Sequence, residues 1–242
     1  MSKLIITGAT GTAGFAAYLA ALADPSVSYI TLLLRREIPS WANLPSNASE
    51  KSRTIIVKDF AQYPEGVISQ IADHDGCVWA LGKSVSGLSE EEYMKIHVDF
   101  PLAAVEAFKK SGVGSTEKPF NFVYVSGEGS DPSQKSMFMW ARGKGRAETE
   151  LTKALDTPTT RFLIARPGYF FPAHAGQRQH QQSGIGRSLD TVLGPLFTNT
   201  SMGVSAGALG SFLVEGAKGS FPNVSLANNS QIKQLLKNLQ KQ

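Results

Sequence analysis

Short runs of apolar and β-branched residues alternate along the chain with longer stretches whose apolar positions recur every three to four residues. The first kind predicts strands at 3–7, 29–34, 54–57, 77–80, 121–126 and 161–165. The second predicts helices at 15–22, 65–71, 90–110, 141–155, 205–218 and 231–242, the last amphipathic with basic residues near its end. Such alternation is the pattern of βα units on a parallel sheet. Helices on both faces of a buried sheet make a doubly wound α/β fold of the Rossmann type. A single domain over 1–242 is expected, with a small substrate-side segment from about 168 to 242. Two stretches, 39–51 and 127–136, are rich in Pro, Asn, Ser, Gly or Asp and read as loops. The second follows the carboxyl end of a strand, where ligands bind in open α/β sheets. The region 172–194 carries Gln, Arg, His and Gly with little periodicity and is read as a mobile segment on the substrate side. No internal repeat is visible.

Composition narrows the classes. With 42% hydrophobic and 18% charged residues, the chain can bury a sizeable core. The net charge of +4 comes without any block of five or six like charges, which argues against nucleic acid as a partner. A mildly basic surface suits a phosphorylated small molecule equally well. The single cysteine, Cys77, excludes an intrachain disulfide framework and any multi-cysteine zinc site, and a reducing compartment fits it. Since the first strand begins near residue 3, no cleavable leader is expected, and no run of about 18 apolar residues predicts a membrane span. A cytoplasmic protein follows, with a peripheral place on an organelle surface as the alternative. The sequons beginning at Asn47, Asn199, Asn223 and Asn228 are then chance matches.

The strongest signal is TGATGTAG, from Thr7 to Gly14, between the first strand and the first helix. Gly8 permits a tight turn, Gly11 lets backbone approach a diphosphate, and Gly14 lets the helix pack close to the sheet; Thr10 and Thr12 sit among them. The helix start then faces an anion. The spacing of the glycines differs from G-x-G-x-x-G, so the flanking strand and helix carry much of the inference. Roughly twenty residues further on, NAD sites place an acid and NADP sites an arginine. This chain has LLLRRE there, and Arg35 and Arg36 suit the 2′-phosphate of NADP(H), which is favoured over NAD(H). The alternative is a pair of solvated loop arginines. In VKDF, Asp59 and Phe60 are candidates to flank an adenine, by accepting from its amino group and by stacking; a loop-capping Asp and a core Phe are the alternative. After the fourth strand, Ala80, Leu81 and Gly82 bring small residues and backbone to the cofactor crevice.

The motifs TGATGTAG, LLLRRE, VKDF, ALG, VYVSG and ARPG, spread in this order from Thr7 to Gly168, resemble those of the extended and atypical short-chain dehydrogenase/reductases. The doubled arginine and the DF pair look most like the branch containing the Tat-interacting protein. The resemblance implies a catalytic serine at Ser126 and a lysine at Lys144, which also holds the nicotinamide ribose, while Pro167 and Gly168 line the cofactor. In that family a tyrosine stands four residues before the lysine; here it is Trp140. A phenol can ionise toward working pH beside an ammonium, whereas indole only donates a hydrogen bond. Tyr169 is the first candidate for a replacement proton donor, with a packed aromatic wall of Tyr169, Phe170 and Phe171 as the alternative. Trp140 and Phe170 are assigned to the substrate pocket. His97 lies where the family often has a polar residue that orients the lysine through water, or else is a satisfied core histidine. Arg166 reads as structural. His74, His174 and His180 share no ligand spacing, so no metal is proposed.

These residues lead to an NADP(H)-binding protein whose redox activity is weak, rerouted or absent, with a sensor or regulatory role open to it. An active NADPH-dependent carbonyl oxidoreductase is the alternative, using Ser126, Lys144 and Tyr169. A scaffold that has kept only the Rossmann shape is the third. The ligand is a small carbonyl compound or none, and a protein partner or a homodimer is compatible with the sequence.

Overall fold

The computed structural model describes residues 1–171 and 202–241. The segment 172–194, assigned above to the substrate side, lies outside the described residues, as do His174, His180 and Asn199.

Seven parallel strands form one sheet: β1 (Ser2–Thr7), β2 (Val27–Leu34), β3 (Ser52–Ile56), β4 (Gly76–Trp79), β5 (Phe120–Val125), β6 (Thr160–Arg166) and β7 (Leu226–Asn228). Their order is β3-β2-β1-β4-β5-β6-β7, so the strand order reverses between β1 and β4. The carboxyl ends of those two strands open the crevice where doubly wound sheets bind ligands. The α-helices among the described residues are α1 (Thr12–Ala23), α2 (Ala48–Lys51), α3 (Glu65–Ile71), α4 (Glu90–Met94), α5 (Phe100–Ser111), α6 (Met139–Ala154), α7 (Ala206–Lys218) and α8 (Asn229–Leu239).

Successive strand side chains point to opposite faces, and the core is divided accordingly. Leu4 and Ile6 of β1 join Phe15, Leu209, Phe212 and Leu213 on the face covered by α1 and α7. Ile5, between them, joins Phe60, Trp79, Phe108 and Phe122 on the face covered by α3, α5 and α6. Both layers are largely apolar, as expected of a parallel sheet covered on both faces.

The expected helix at 90–110 is interrupted. A π-helical turn, Lys95–Asp99, separates α4 from α5. Pro101 has no N–H to return to the carbonyl of His97 four residues earlier, and the Tyr124 hydroxyl donates to that carbonyl at 3.2 Å. The apolar spacing could not show this break, because the turn keeps its buried face. β7 and α2 were also not anticipated. At three and four residues they are too short to display a period.

Candidate functional site

The TGATGTAG turn leaves β1 with Gly8 at φ +66°, in the left-handed region open to glycine. A Cβ on Gly8 would lie 2.4 Å from the Ala80 carbonyl oxygen, and one on Gly14 would lie 2.2 Å from the Gly8 carbonyl oxygen. The bend is therefore as tight as backbone allows, and a side chain would fill it. The amides of Ala80 and Leu81 both donate to Thr7 Oγ1 at 3.1 Å, stapling the ends of β1 and β4. Gly11 caps α1 without a side-chain hydrogen bond, and no acid stands in the first turn. A helix start built this way is suited to an anion. The bend fits a dinucleotide diphosphate, which Gly8, Thr10, Gly11, Thr12 and Gly14 could hold.

Arg35 and Arg36 follow β2 directly and are exposed. Neither takes part in a hydrogen bond or ion pair among the described residues, so both guanidinium groups are available to a phosphate. Asp59 is also exposed, and its Oδ1 accepts the Ala61 amide at 3.0 Å, the loop-capping arrangement. Phe60 requires a correction. Its ring is fully buried, edge-on to Tyr63 and Trp79 at 6.2 and 6.0 Å, so it is a core residue and cannot stack on an adenine. Leu81 leans on the same core, and Gly82 meets the His97 ring, which a Cβ would approach to 2.8 Å.

Two buried glycines of α6 set the position of Lys144. A Cβ on Gly143 would meet the Tyr93 ring at 2.6 Å, and one on Gly145 would meet the Asp131 carbonyl oxygen at 1.9 Å. The helix is thereby drawn onto the end of β5. Lys144 Nζ donates to the Val125 carbonyl at 2.8 Å and lies 4.9 Å from the centroid of the Tyr124 ring. Burial lowers its pKa to about 8, against the opposing pull of Glu148. Burial, and then the Lys144 charge, lowers that of His97 to about 3, so this histidine is neutral. Its ring stacks on Tyr93 at 4.0 Å and its Nε2 bonds the Lys83 carbonyl at 2.9 Å, while Nδ1 has no hydrogen-bond partner among the described residues. His97 is thus packed in the core yet within electrostatic reach of the lysine.

Ser126 follows β5 and is 7% exposed. It bonds Glu148 Oε1 at 2.5 Å and Ser130 Oγ at 2.8 Å. Glu148, 3% exposed, is held from the other side by Arg166, whose Nε donates to Oε1 at 2.8 Å and whose Nη2 donates to Oε2. Arg166 thus reaches Ser126 only through Glu148. Glu148 was not singled out by sequence, although Trp140, Lys144 and Glu148 recur at intervals of four and so share a helix face. The loop 127–136 is well built: Asp131 accepts the amides of Ser133, Lys135 and Ser136 at 2.9, 2.9 and 2.7 Å. Arg142 adds hydrogen bonds to the Ser136 and Met137 carbonyls at 2.8 and 3.1 Å, and a bidentate pair to Glu90.

Trp140 falls within α6, which begins at Met139, earlier than the pattern implied. Its ring rests on Gly129, where a Cβ would come within 3.1 Å, and stacks with Phe138 at 6.4 Å. Tyr169 is 69% exposed and stacks with Phe171 at 6.3 Å. Phe170 is half-buried against the core. Pro167 is buried and its carbonyl accepts the Glu128 amide at 2.9 Å, while the Gly168 amide is committed to Asn229 Oδ1 at 3.0 Å. A cleft of about 310 Å³, lined by Asn121, Arg161, Gly219 and Ser225 among others, opens at the amino ends of β5 and β6, the opposite end of the sheet from these residues. No group of His, Cys, Asp and Glu among the described residues is arranged to hold a metal. No helix among them is long and apolar enough to cross a membrane.

Comparison with solved structures aligns this architecture over nearly its whole length. L-sorbose reductase from Gluconobacter frateurii, complexed with NADPH and L-sorbose, superposes with a TM-score of 0.65 at 14% identity, covering 96% of this chain and 97% of that one. A 3-oxoacyl-[acyl-carrier protein] reductase from Brucella melitensis, in complex with NAD, gives 0.60 at 16% identity over 97% of both. The fold is that of the short-chain dehydrogenase/reductases. In sequence, the chain is 29% identical over 165 residues to the leucinostatins biosynthesis cluster protein T of Purpureocillium lilacinum, a match spanning 68% of this chain but only 56% of that protein. It is 27% identical over 207 residues to the mitochondrial protein fmp52 of Emericella nidulans, covering 84% of this chain and 81% of the relative. No family model matches the chain.

Proposed function

We propose that the chain is an NADP(H)-binding protein of the atypical short-chain dehydrogenase/reductase type, with redox activity that is weak, rerouted or absent. The observation that carries this reading is a tight glycine bend before α1 together with a helix that presents Trp140 one turn before Lys144. Gly8, Gly11 and Gly14 suit a diphosphate, Arg35 and Arg36 after β2 make no hydrogen bond or ion pair among the described residues, and Lys144 is held at the end of β5, while Trp140 stands where the family resemblance puts the acid. The bound nucleotide would supply hydride chemistry. The protein's own residues bind and orient it: the first turn of α1 faces the diphosphate, the two arginines face the 2′-phosphate, and Lys144 offers donors to the ribose. Indole cannot give up a proton at working pH. General acid catalysis is typically worth about 10²- to 10⁴-fold, and that is the measure of what is missing.

The preference for NADP(H) rests on the arginines and not on the fold, since solved structures of this fold are described with NADPH and with NAD. Titration of NADPH and NADH against the chain, read by thermal shift and nucleotide fluorescence, tests the reading. NADPH is expected to bind more tightly, and Arg35→Ala with Arg36→Ala to remove about 10- to 100-fold of that affinity, as loss of charge-assisted hydrogen bonds implies. Absence of binding by either nucleotide refutes it.

An active carbonyl reductase is the second reading, favoured by the exposure of Tyr169. Its test is the loss of wild-type turnover in Tyr169→Phe. As to location, the mitochondrial label of the Emericella relative draws the proposal from the cytosol toward the surface of an organelle.

A further inference from the structure

The hydroxyl of Ser126 has one proton, and its neighbours decide where that proton points. Glu148 is gripped by both donors of the Arg166 fork, the geometry of a charged carboxylate. A carboxylate has no proton to give, so in the 2.5 Å contact Ser126 is the donor. Ser130 supplies its own proton to Ser126 or to the Gly127 carbonyl, 2.7 Å away. In neither case does Ser126 have a second proton to offer. What remains on Ser126 is a lone pair.

We infer that Glu148 fixes Ser126 as a hydrogen-bond acceptor, so that the ligand group received at Ser126 is a hydroxyl in preference to a carbonyl. Glu148 acts through Ser126 and is a positioning residue that sets specificity. A carbonyl oxygen placed there would face oxygen lone pairs with no proton between them, whereas an alcohol donates into the vacant lone pair. Lys144 does not change the polarity at Ser126 itself. It lies on the same helix, draws on the same carboxylate electrostatically, and gives one of its three N–H donors to the Val125 carbonyl. The stacked rings of Phe138 and Trp140 beside the Gly127–Ser130 turn suit an aryl substituent on such an alcohol. The inference rests on the functional reading above only in that ligand and nucleotide share the carboxyl ends of the strands.

The test is a binding measurement on the full chain without nucleotide, so that no turnover intervenes. Dissociation constants for 1-phenylethanol and acetophenone are compared by ligand-observed NMR. The wild type is expected to prefer the alcohol about tenfold, the order of one satisfied against one unsatisfied hydrogen-bonding group. Ser126→Ala removes the acceptor and should bring the two ligands within about threefold of each other. Glu148→Gln should do the same by releasing the proton of Ser126, and Glu148→Asp should keep the wild-type order. Equal or tighter binding of the ketone by the wild type, binding of neither probe, or a full alcohol preference surviving in Ser126→Ala or Glu148→Gln overturns the inference. NADPH affinity of the same proteins is read in parallel. Its absence in the wild type refutes the cofactor reading and leaves the alcohol preference standing, and its retention in the variants shows that they are folded.

Discussion

Gly14→Ala isolates the feature on which the nucleotide cradle depends. The added carbon would lie 2.2 and 2.5 Å from the carbonyl oxygen and carbon of Gly8 and 2.8 Å from the Thr7 oxygen. All three are backbone atoms, so no side chain can swing away. Bringing the shortest contact to van der Waals distance requires α1 to retreat from β1 by about 1 Å. Overpacking of this kind costs about 1–3 kcal/mol, and the helix preference of Ala over Gly returns at most ~1 kcal/mol of it. The net expectation is a loss of about 1–2 kcal/mol in urea unfolding, with m unchanged. The retreat also displaces the helix start from the diphosphate, and NADPH affinity should fall by about tenfold or more, as misplacement on this scale does elsewhere. Gly66→Ala is the control. It makes the same chemical change in the first turn of α3, where a Cβ meets nothing within 4 Å, and it should leave stability unchanged or raise it. If Gly14→Ala matched Gly66→Ala in both stability and NADPH binding, the reasoning from backbone proximity to anion binding would be wrong.

Phe60→Ala should cost about 3–5 kcal/mol, as deletion of a buried ring does, yet leave NADPH affinity within about threefold when measured where the variant is folded; a selective loss of affinity would restore the adenine-stacking role. His97 stays neutral in the fold down to about pH 3, while in the unfolded chain it takes a proton near its ordinary 6.5, so the unfolded state binds more protons between those values. Stability contributed by His97 is therefore complete above pH 6.5 and lost as pH falls, at up to about 1.4 kcal/mol per unit. His74, lowered by its own burial, acts in the same direction. His97→Gln, compared with wild type by urea unfolding at pH 7 and pH 5, should show a shallower decline, and an identical one would count against a buried neutral imidazole. Trp140→Tyr returns a phenol to the position one turn before Lys144 and should raise NADPH-dependent reduction of acetophenone by at least about tenfold; no gain would mean that the missing acid does not limit the site.

The fold was legible because its signals are long and redundant. Six of the seven strands and the major helices follow from apolar spacing and from turn residues, and the glycine bend was recognisable as a strand-to-helix junction. What escaped notice depended on contacts across the sheet. Phe60 follows a strand and precedes a loop, and only the packing of Tyr63, Trp79 and Phe100 around it shows that its ring turns inward. In sequence Glu148 is one more charge on a helix; its role comes from Arg166 of β6 and Ser126 after β5, which converge on it in space. The π turn at Lys95–Asp99 was likewise hidden, although Pro101 marked the place where a helical hydrogen bond had to fail.

Trp140, Lys144 and Glu148 lie on one face of α6, and their fates differ in a way that bears on function. A lysine kept only as a relic of a lost tyrosine would be expected to relax toward solvent, since burying an ammonium has a cost and a long side chain readily extends. Lys144 is instead drawn in. Gly143 and Gly145 give α6 the close approach to Tyr93 and to the Asp131 carbonyl that places Nζ on the Val125 oxygen. The cost of that burial is visible in the lowered pKa of the amine. At the same time Glu148 turns the Ser126 proton inward, away from any carbonyl. Holding a donor-rich lysine while turning the serine proton away is coherent for a site that grips a nucleotide and a hydroxylated ligand. It is not the arrangement that best delivers a proton to a ketone.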